Sequence, residues 1–132
     1  MINYSYKVKN NAGLYDSSLL EEKLFGNGLS EKTIFNVSLV LEEIVTSIMN
    51  YSKNTDDIDI EFNYDKKKIN IRVADTGLKY NPLELSTPSK KDLDDGNIKG
   101  LGIHIAKTKS SYIYYKRLGR YNVLTIYFNV AA

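Results

Sequence analysis

Three short groups of residues hold the side chains and backbone shapes from which chemistry can be built. Asp75 and Gly77 stand two apart at the end of an alternating apolar run through Ile69, Ile71 and Val73. An aspartate at a strand end accepts a hydrogen bond from an exocyclic amine, and a nearby glycine lets the backbone approach a base edge with no Cβ in the way. Gly100 and Gly102 open a short helical pattern. The first amides of a helix have no intrahelical acceptor, so they favour phosphates. Glu43, Ser47 and Asn50 are spaced by four and three, which stacks them on one side of a helix. A carboxylate at the margin of an apolar helical face is either a solvated border residue or a group placed for proton transfer.

An acceptor, a row of amides and one carboxylate are parts for holding a nucleotide, and the remaining elements must bring them together. Ile2, Tyr4, Tyr6 and Val8 alternate with polar residues as in a half-buried strand, broken at residues 10 to 13. Ser18 and Glu21 predict a capping box for a first short helix, stopped at Gly26-Asn27-Gly28. Ser30 predicts the N-cap of the longest helix, over 31 to 52, whose stripe of Ile34, Val37, Leu41, Ile44 and Ile48 is wide enough to pack across a sheet. Ile58, Ile60, Phe62 and Tyr64, then Ile69, Ile71 and Val73, predict a hairpin turning at Asp65-Lys66-Lys67-Lys68. Residues 81 to 99 are polar and show no periodicity, and a connection this long between candidate nucleotide elements reads as a lid. A helix over 100 to 109, with Leu101, Ile105 and Thr108 on one side, precedes two strands over 111 to 116 and 122 to 130. Hairpins whose helices all cover one face give a two-layer α+β sandwich in a single domain, 1 to 132. Neither a G-x-G-x-x-G after a first strand nor a G-x-x-x-x-G-K-[ST] is present, which argues against Rossmann and P-loop folds.

Composition narrows the function classes. Eighteen Lys and Arg against 16 acidic residues give a net charge of +2 with the signs interspersed, so no footprint for nucleic acid stands out. No cysteine is present, which removes disulfides, thiol catalysis and Cys-ligated zinc. No apolar run reaches membrane-spanning length and the N-terminus lacks a signal-peptide pattern, so the expectation is a cytoplasmic protein without a membrane partner. The eleven tyrosines fall mostly on strand-like stretches and are expected on half-buried sheet faces. His104 is the only histidine and is expected to face solvent.

The ordered set Glu43-x-x-x-Ser47, Asp75-x-Gly77-x-x-Tyr80-Asn81-Pro82-Leu83 and Gly100-Leu101-Gly102-Ile103 resembles the Bergerat (GHKL) ATP-binding superfamily, the histidine kinase-like ATPases. Within that group it is most similar to the small anti-sigma factor serine/threonine kinases of bacteria, a likeness that extends from about Ser30 through the tail around Tyr114 to Thr125. The resemblance implies a mixed, mostly antiparallel sheet covered on one face by helices, and ATP with Mg²⁺ as cofactors. It implies that Asp75 holds the adenine amine, with Gly77 leaving room for the base. It also assigns Asn81, Lys99, Gly100, Leu101, Gly102 and Ile103 to the nucleotide. Glu43 becomes the general base toward a serine or threonine hydroxyl. A sigma factor and a STAS-type antagonist are the implied partners, with a homodimer as the assembly. Two residues depart from the pattern: Ser47 stands where the family carries a magnesium-binding asparagine, and Lys99 where these kinases usually carry glycine. Ser47 and Asn50 are therefore the candidate metal residues. Two readings follow, a protein kinase that controls a sigma factor by partner switching, and a non-catalytic nucleotide-binding module of the same fold.

Overall fold

A computed structural model describes residues 2–10, 15, 17–53, 55 and 57–130. Five strands, β1 (Ile2–Lys9), β2 (Asp57–Tyr64), β3 (Lys68–Asp75), β4 (Tyr112–Leu118) and β5 (Tyr121–Asn129), form one sheet in the order β1-β2-β3-β5-β4. Every pairing is antiparallel, so the mostly antiparallel sheet expected contains no parallel pair among the described residues. The period-2 alternation sends Ile58, Ile60, Phe62, Ile69, Ile71, Val73, Leu124 and Ile126 to one face, where all are buried. Helices α1 (Ser18–Leu24), α2 (Glu31–Tyr51) and α4 (Leu101–Lys109) supply the other half of that core, giving the α+β sandwich. Burying one such aliphatic side chain contributes about 1.5–3 kcal/mol, so the shared layer fixes where α2 and α4 lie over the strands.

Ser30 caps α2 as its sequence predicts, its hydroxyl accepting from the Thr33 amide at 3.1 Å. The first helix departs from expectation. Its N-cap is Ser17, and no side chain caps it; Glu21 therefore falls one residue beyond the position a capping box requires. The Ser17 hydroxyl instead donates to Glu42 Oε1 of α2 at 2.7 Å, tying the two helices together. The strand break expected at residues 10 to 13 lies, beyond Asn10, outside the described residues.

The polar connection is more ordered than its lack of periodicity implies. A 3-10 turn, Pro82–Glu84, begins it, with the Asn81 side chain accepting from the Leu83 amide. Helix α3 (Lys90–Asp94) follows, closed by a reciprocal capping box between Ser89 and Asp92. Five residues are too few to show a helical period, so local capping carries α3. Helix α4 buries residues that its sequence pattern did not single out. Ile103 and Ala106 are buried against α2, whereas Thr108 is exposed and donates its hydroxyl to the His104 carbonyl. At Gly102 the absence of a side chain leaves room for the Glu43 side chain of α2.

Candidate functional site

Asp75 ends β3 directly opposite Asn122 of β5. Its carboxylate is only 2% exposed, and Oδ2 accepts from Thr55 Oγ1 (2.8 Å), the Gly77 amide (3.0 Å), Asn122 Nδ2 (3.2 Å) and Ser52 Oγ (3.4 Å). Asn122 is the hub of this network. Its Oδ1 accepts from Tyr115 Oη (2.6 Å), the Tyr80 amide (3.0 Å) and Arg117 Nη1 (3.1 Å), while its amide nitrogen also donates to the Leu78 carbonyl (2.9 Å). Arg117 Nη1 donates in addition to the Gly77 carbonyl at 2.9 Å. The strand end, the following turn and the last hairpin are thus one hydrogen-bonded unit, and buried networks satisfied in this way are rigid. Gly77 is required by that unit before any ligand arrives: a Cβ there would collide with Thr55 Oγ1 and stand 2.8 Å from both the Lys53 carbonyl and Ser52 Oγ.

Glu43, Ser47 and Asn50 share one side of α2, and opposite them runs the segment from Ile98 to the start of α4. Between the two lies a cavity of about 250 Å³ lined by Glu43, Ser47, Asn50, Lys99, Gly100 and Gly102 among others. Gly100 is the N-cap of α4 with φ of +89°, a left-handed conformation that favours glycine, and a Cβ on it would strike the Ser86 carbonyl. Gly102 makes room for Glu43, since a Cβ added there would collide with Glu43 Oε2 and lie 3.0 Å from its Cδ. Burial, and secondarily the Glu42 carboxylate, push the Glu43 carboxyl above its ordinary 4.5. A carboxylate with raised proton affinity beside helix amides suits proton abstraction during transfer of a phosphoryl group.

The sequence-predicted residues therefore fall into two sets. Glu43, Ser47, Asn50, Lys99, Gly100, Leu101, Gly102 and Ile103 line the same cavity. Asp75 and Gly77 do not line it, and Asn81 caps the 3-10 turn at the start of the 81 to 99 connection. Tyr80 joins the sets: its amide holds Asn122, and its hydroxyl is hydrogen-bonded to Ser47 Oγ at 2.9 Å. The four donors to Asp75 all converge on its Oδ2. Asn122, Tyr80 and Arg117 were given no site role from the sequence, Tyr80 being quoted only as part of the motif around Asp75. The signal for Asn122 was a lone amide at the head of an apolar strand, with meaning only once the β3–β5 register is known. On the lid side, Lys107 Nζ donates to the Leu83 carbonyl at 2.8 Å and Thr87 is hydrogen-bonded to His104 Nδ1 at 3.3 Å, so α4 holds both flanks of the connection. His104 is exposed, as expected.

Magnesium is the metal implied by the resemblance, and it asks for octahedral oxygen ligands. The cavity offers one carboxylate, Glu43, and the exposed amide of Asn50. Ser47 is 6% exposed and its hydroxyl is engaged by Tyr80. No group of three His, Cys, Asp or Glu side chains able to hold a metal occurs among the described residues. This donor set does not by itself make a magnesium site.

Residues 17–128 match the family model described as histidine kinase-like ATPase domain. The chain belongs to that family. This histidine kinase-like ATPase domain is also similar in structure to the Acinetobacter baumannii histidine kinase AdeS, with a TM-score of 0.52 at 13% identity, over 98% of this chain and 68% of that one. At that identity the likeness concerns the fold alone. No curated protein sequence matches the chain. No helix among the described residues of the ATPase domain is long and apolar enough to cross a membrane.

Proposed function

We propose that this histidine kinase-like ATPase domain binds ATP and acts as a serine/threonine protein kinase of the anti-sigma factor type. The observation that carries the proposal is the seating of Glu43 against Gly102, which puts a carboxylate of raised proton affinity in the cavity that the first turn of α4 enters. The adenine amine is held by Asp75 and the triphosphate lies along Gly100 to Ile103, with the 81 to 99 connection over it. A serine or threonine hydroxyl of a partner attacks the γ-phosphorus as Glu43 takes its proton, and the bond to the β-phosphate oxygen breaks to release ADP. Catalysis of this kind rests mainly on positioning and charge stabilisation. On this reading the protein works in the cytoplasm, as a homodimer, and exchanges between a sigma factor and a STAS-type antagonist that it phosphorylates.

One observation favours a second reading, a nucleotide-dependent switch without transfer: the Ser47 hydroxyl, at the cavity wall, is hydrogen-bonded to Tyr80 rather than left open to a metal. Incubation of the purified protein with γ-labelled ATP and the STAS-type proteins encoded in its genome separates the two. The kinase reading expects label on a serine or threonine, lost in Glu43→Ala. ATP binding with no label on any of them supports the switch, and label undiminished in Glu43→Ala removes Glu43 from the mechanism.

A further inference from the structure

The cavity combines a poor set of metal ligands with a lysine that makes no ion pair among the described residues. Lys99 immediately precedes the N-cap of α4 and lines the cavity with Gly100, Gly102 and Glu43. Its ammonium stands over the Tyr51 ring, 4.7 Å from the centroid, at the C-terminal end of α2. The one ion pair found among the described residues is Lys7–Asp59, so Lys99 makes none there, although Glu84 and Asp92 line a neighbouring cavity with it. A ring face attracts an ammonium only weakly at an exposed site, and a charge-assisted contact to phosphate is stronger. The aromatic contact is therefore a resting place from which a long, flexible side chain is drawn by any polyanion entering the cavity.

We propose that Lys99 is a specificity-determining residue for polyphosphate, supplying the positive charge that a magnesium ion would otherwise contribute, so that the site retains ATP without a divalent cation. The inference rests on the nucleotide-binding reading given above and names the source of charge neutralisation within it. Three observations meet here. Glu43 is the only carboxylate among the described residues lining the cavity, Ser47 is tied to Tyr80, and Lys99 lines the cavity immediately before the N-cap of α4. Lys99 is exposed and its side chain takes no part in the core, so replacing it leaves the fold intact.

Calorimetric titration of adenosine and ATP into the wild type, Lys99→Ala and Lys99→Arg, each with magnesium and with EDTA, tests the proposal. The wild type is expected to keep its ATP affinity in EDTA. Lys99→Ala is expected to lose about 10- to 100-fold in ATP affinity under EDTA, the worth of one charge-assisted hydrogen bond. Adenosine affinity should be unchanged in that variant, and Lys99→Arg should restore ATP binding. ATP binding that vanishes in EDTA for the wild type, with Lys99→Ala equal to it in magnesium, overturns the role of Lys99 while leaving the nucleotide reading in place. Equal losses for adenosine and ATP in Lys99→Ala also overturn it, because they assign the lysine a structural part. If the wild type binds neither ligand, the nucleotide reading itself fails and takes this inference with it.

Discussion

Gly102→Ala separates stability from catalysis at the point where the two helices meet. The residue is helical, so exchanging hydrogen for methyl gains up to about 1 kcal/mol of helix propensity. The new Cβ collides with Glu43 Oε2 and comes within 3.0 Å of Cδ, while the Glu43 Cβ at 3.5 Å is an ordinary contact. What must move is the free end of a side chain, and the backbones of α2 and α4 stay where they are. Stability in urea is thus expected to be unchanged or raised by as much as about 1 kcal/mol. The Glu43 carboxylate, driven out of the notch it occupies, is displaced by a distance on the order of 1 Å, which in a phosphoryl transfer costs about 100-fold in rate. Urea unfolding measures the first effect and the initial rate of γ-phosphate transfer the second. A variant with wild-type transfer rate refutes the claim that Gly102 positions Glu43. A loss of more than about 2 kcal/mol refutes the claim that only a mobile side chain stands in the way.

Two further outcomes follow from the same structure. Asn122→Ala removes a donor from Asp75 and an acceptor from Tyr80, Tyr115 and Arg117, and should cost about 2–4 kcal/mol in urea unfolding with weakened ATP binding, since buried partners left unsatisfied cost about 1–3 kcal/mol apiece. Glu43→Gln should melt higher than the wild type at pH 7 and equal to it near pH 3. The folded pKa of Glu43 is raised, so its contribution is present below the ordinary 4.5 and lost as pH rises through the folded value, a loss that the neutral glutamine escapes. Differential scanning calorimetry across that range checks the sign.

What the sequence made legible was whatever repeats with a period. The alternation of β2 and β3 and the stripe on α2 sent the right residues inward, and Ser30 marked the true start of the long helix. Helix α3 was hidden because five residues complete barely more than one turn. On α4 the spacing grouped Leu101, Ile105 and Thr108 on one side without saying which side is buried, and the structure buries Ile103 and Ala106. At the site, spacing along α2 correctly grouped Glu43, Ser47 and Asn50 on one side, as a helix demands. It did not reveal that Tyr80 occupies the Ser47 hydroxyl, or that Asn122 organises Asp75, because both contacts join residues more than thirty positions apart. Gly77 was marked for its closeness to a base, and the structure adds a demand of its own through Ser52, Lys53 and Thr55.

A larger cavity, about 570 Å³, lies on the open face of the sheet between Ser5, Lys7, Asp59, Arg72 and Tyr121, and it offers a direct contrast with the smaller one beside Glu43. A crystal structure of the protein with a non-hydrolysable ATP analogue therefore tests the central claim. The account predicts the adenine amine on the Asp75 carboxylate and the triphosphate along Gly100 to Ile103 beside Glu43. An analogue seated on the open sheet face, or one whose phosphates lie away from the start of α4, would contradict it.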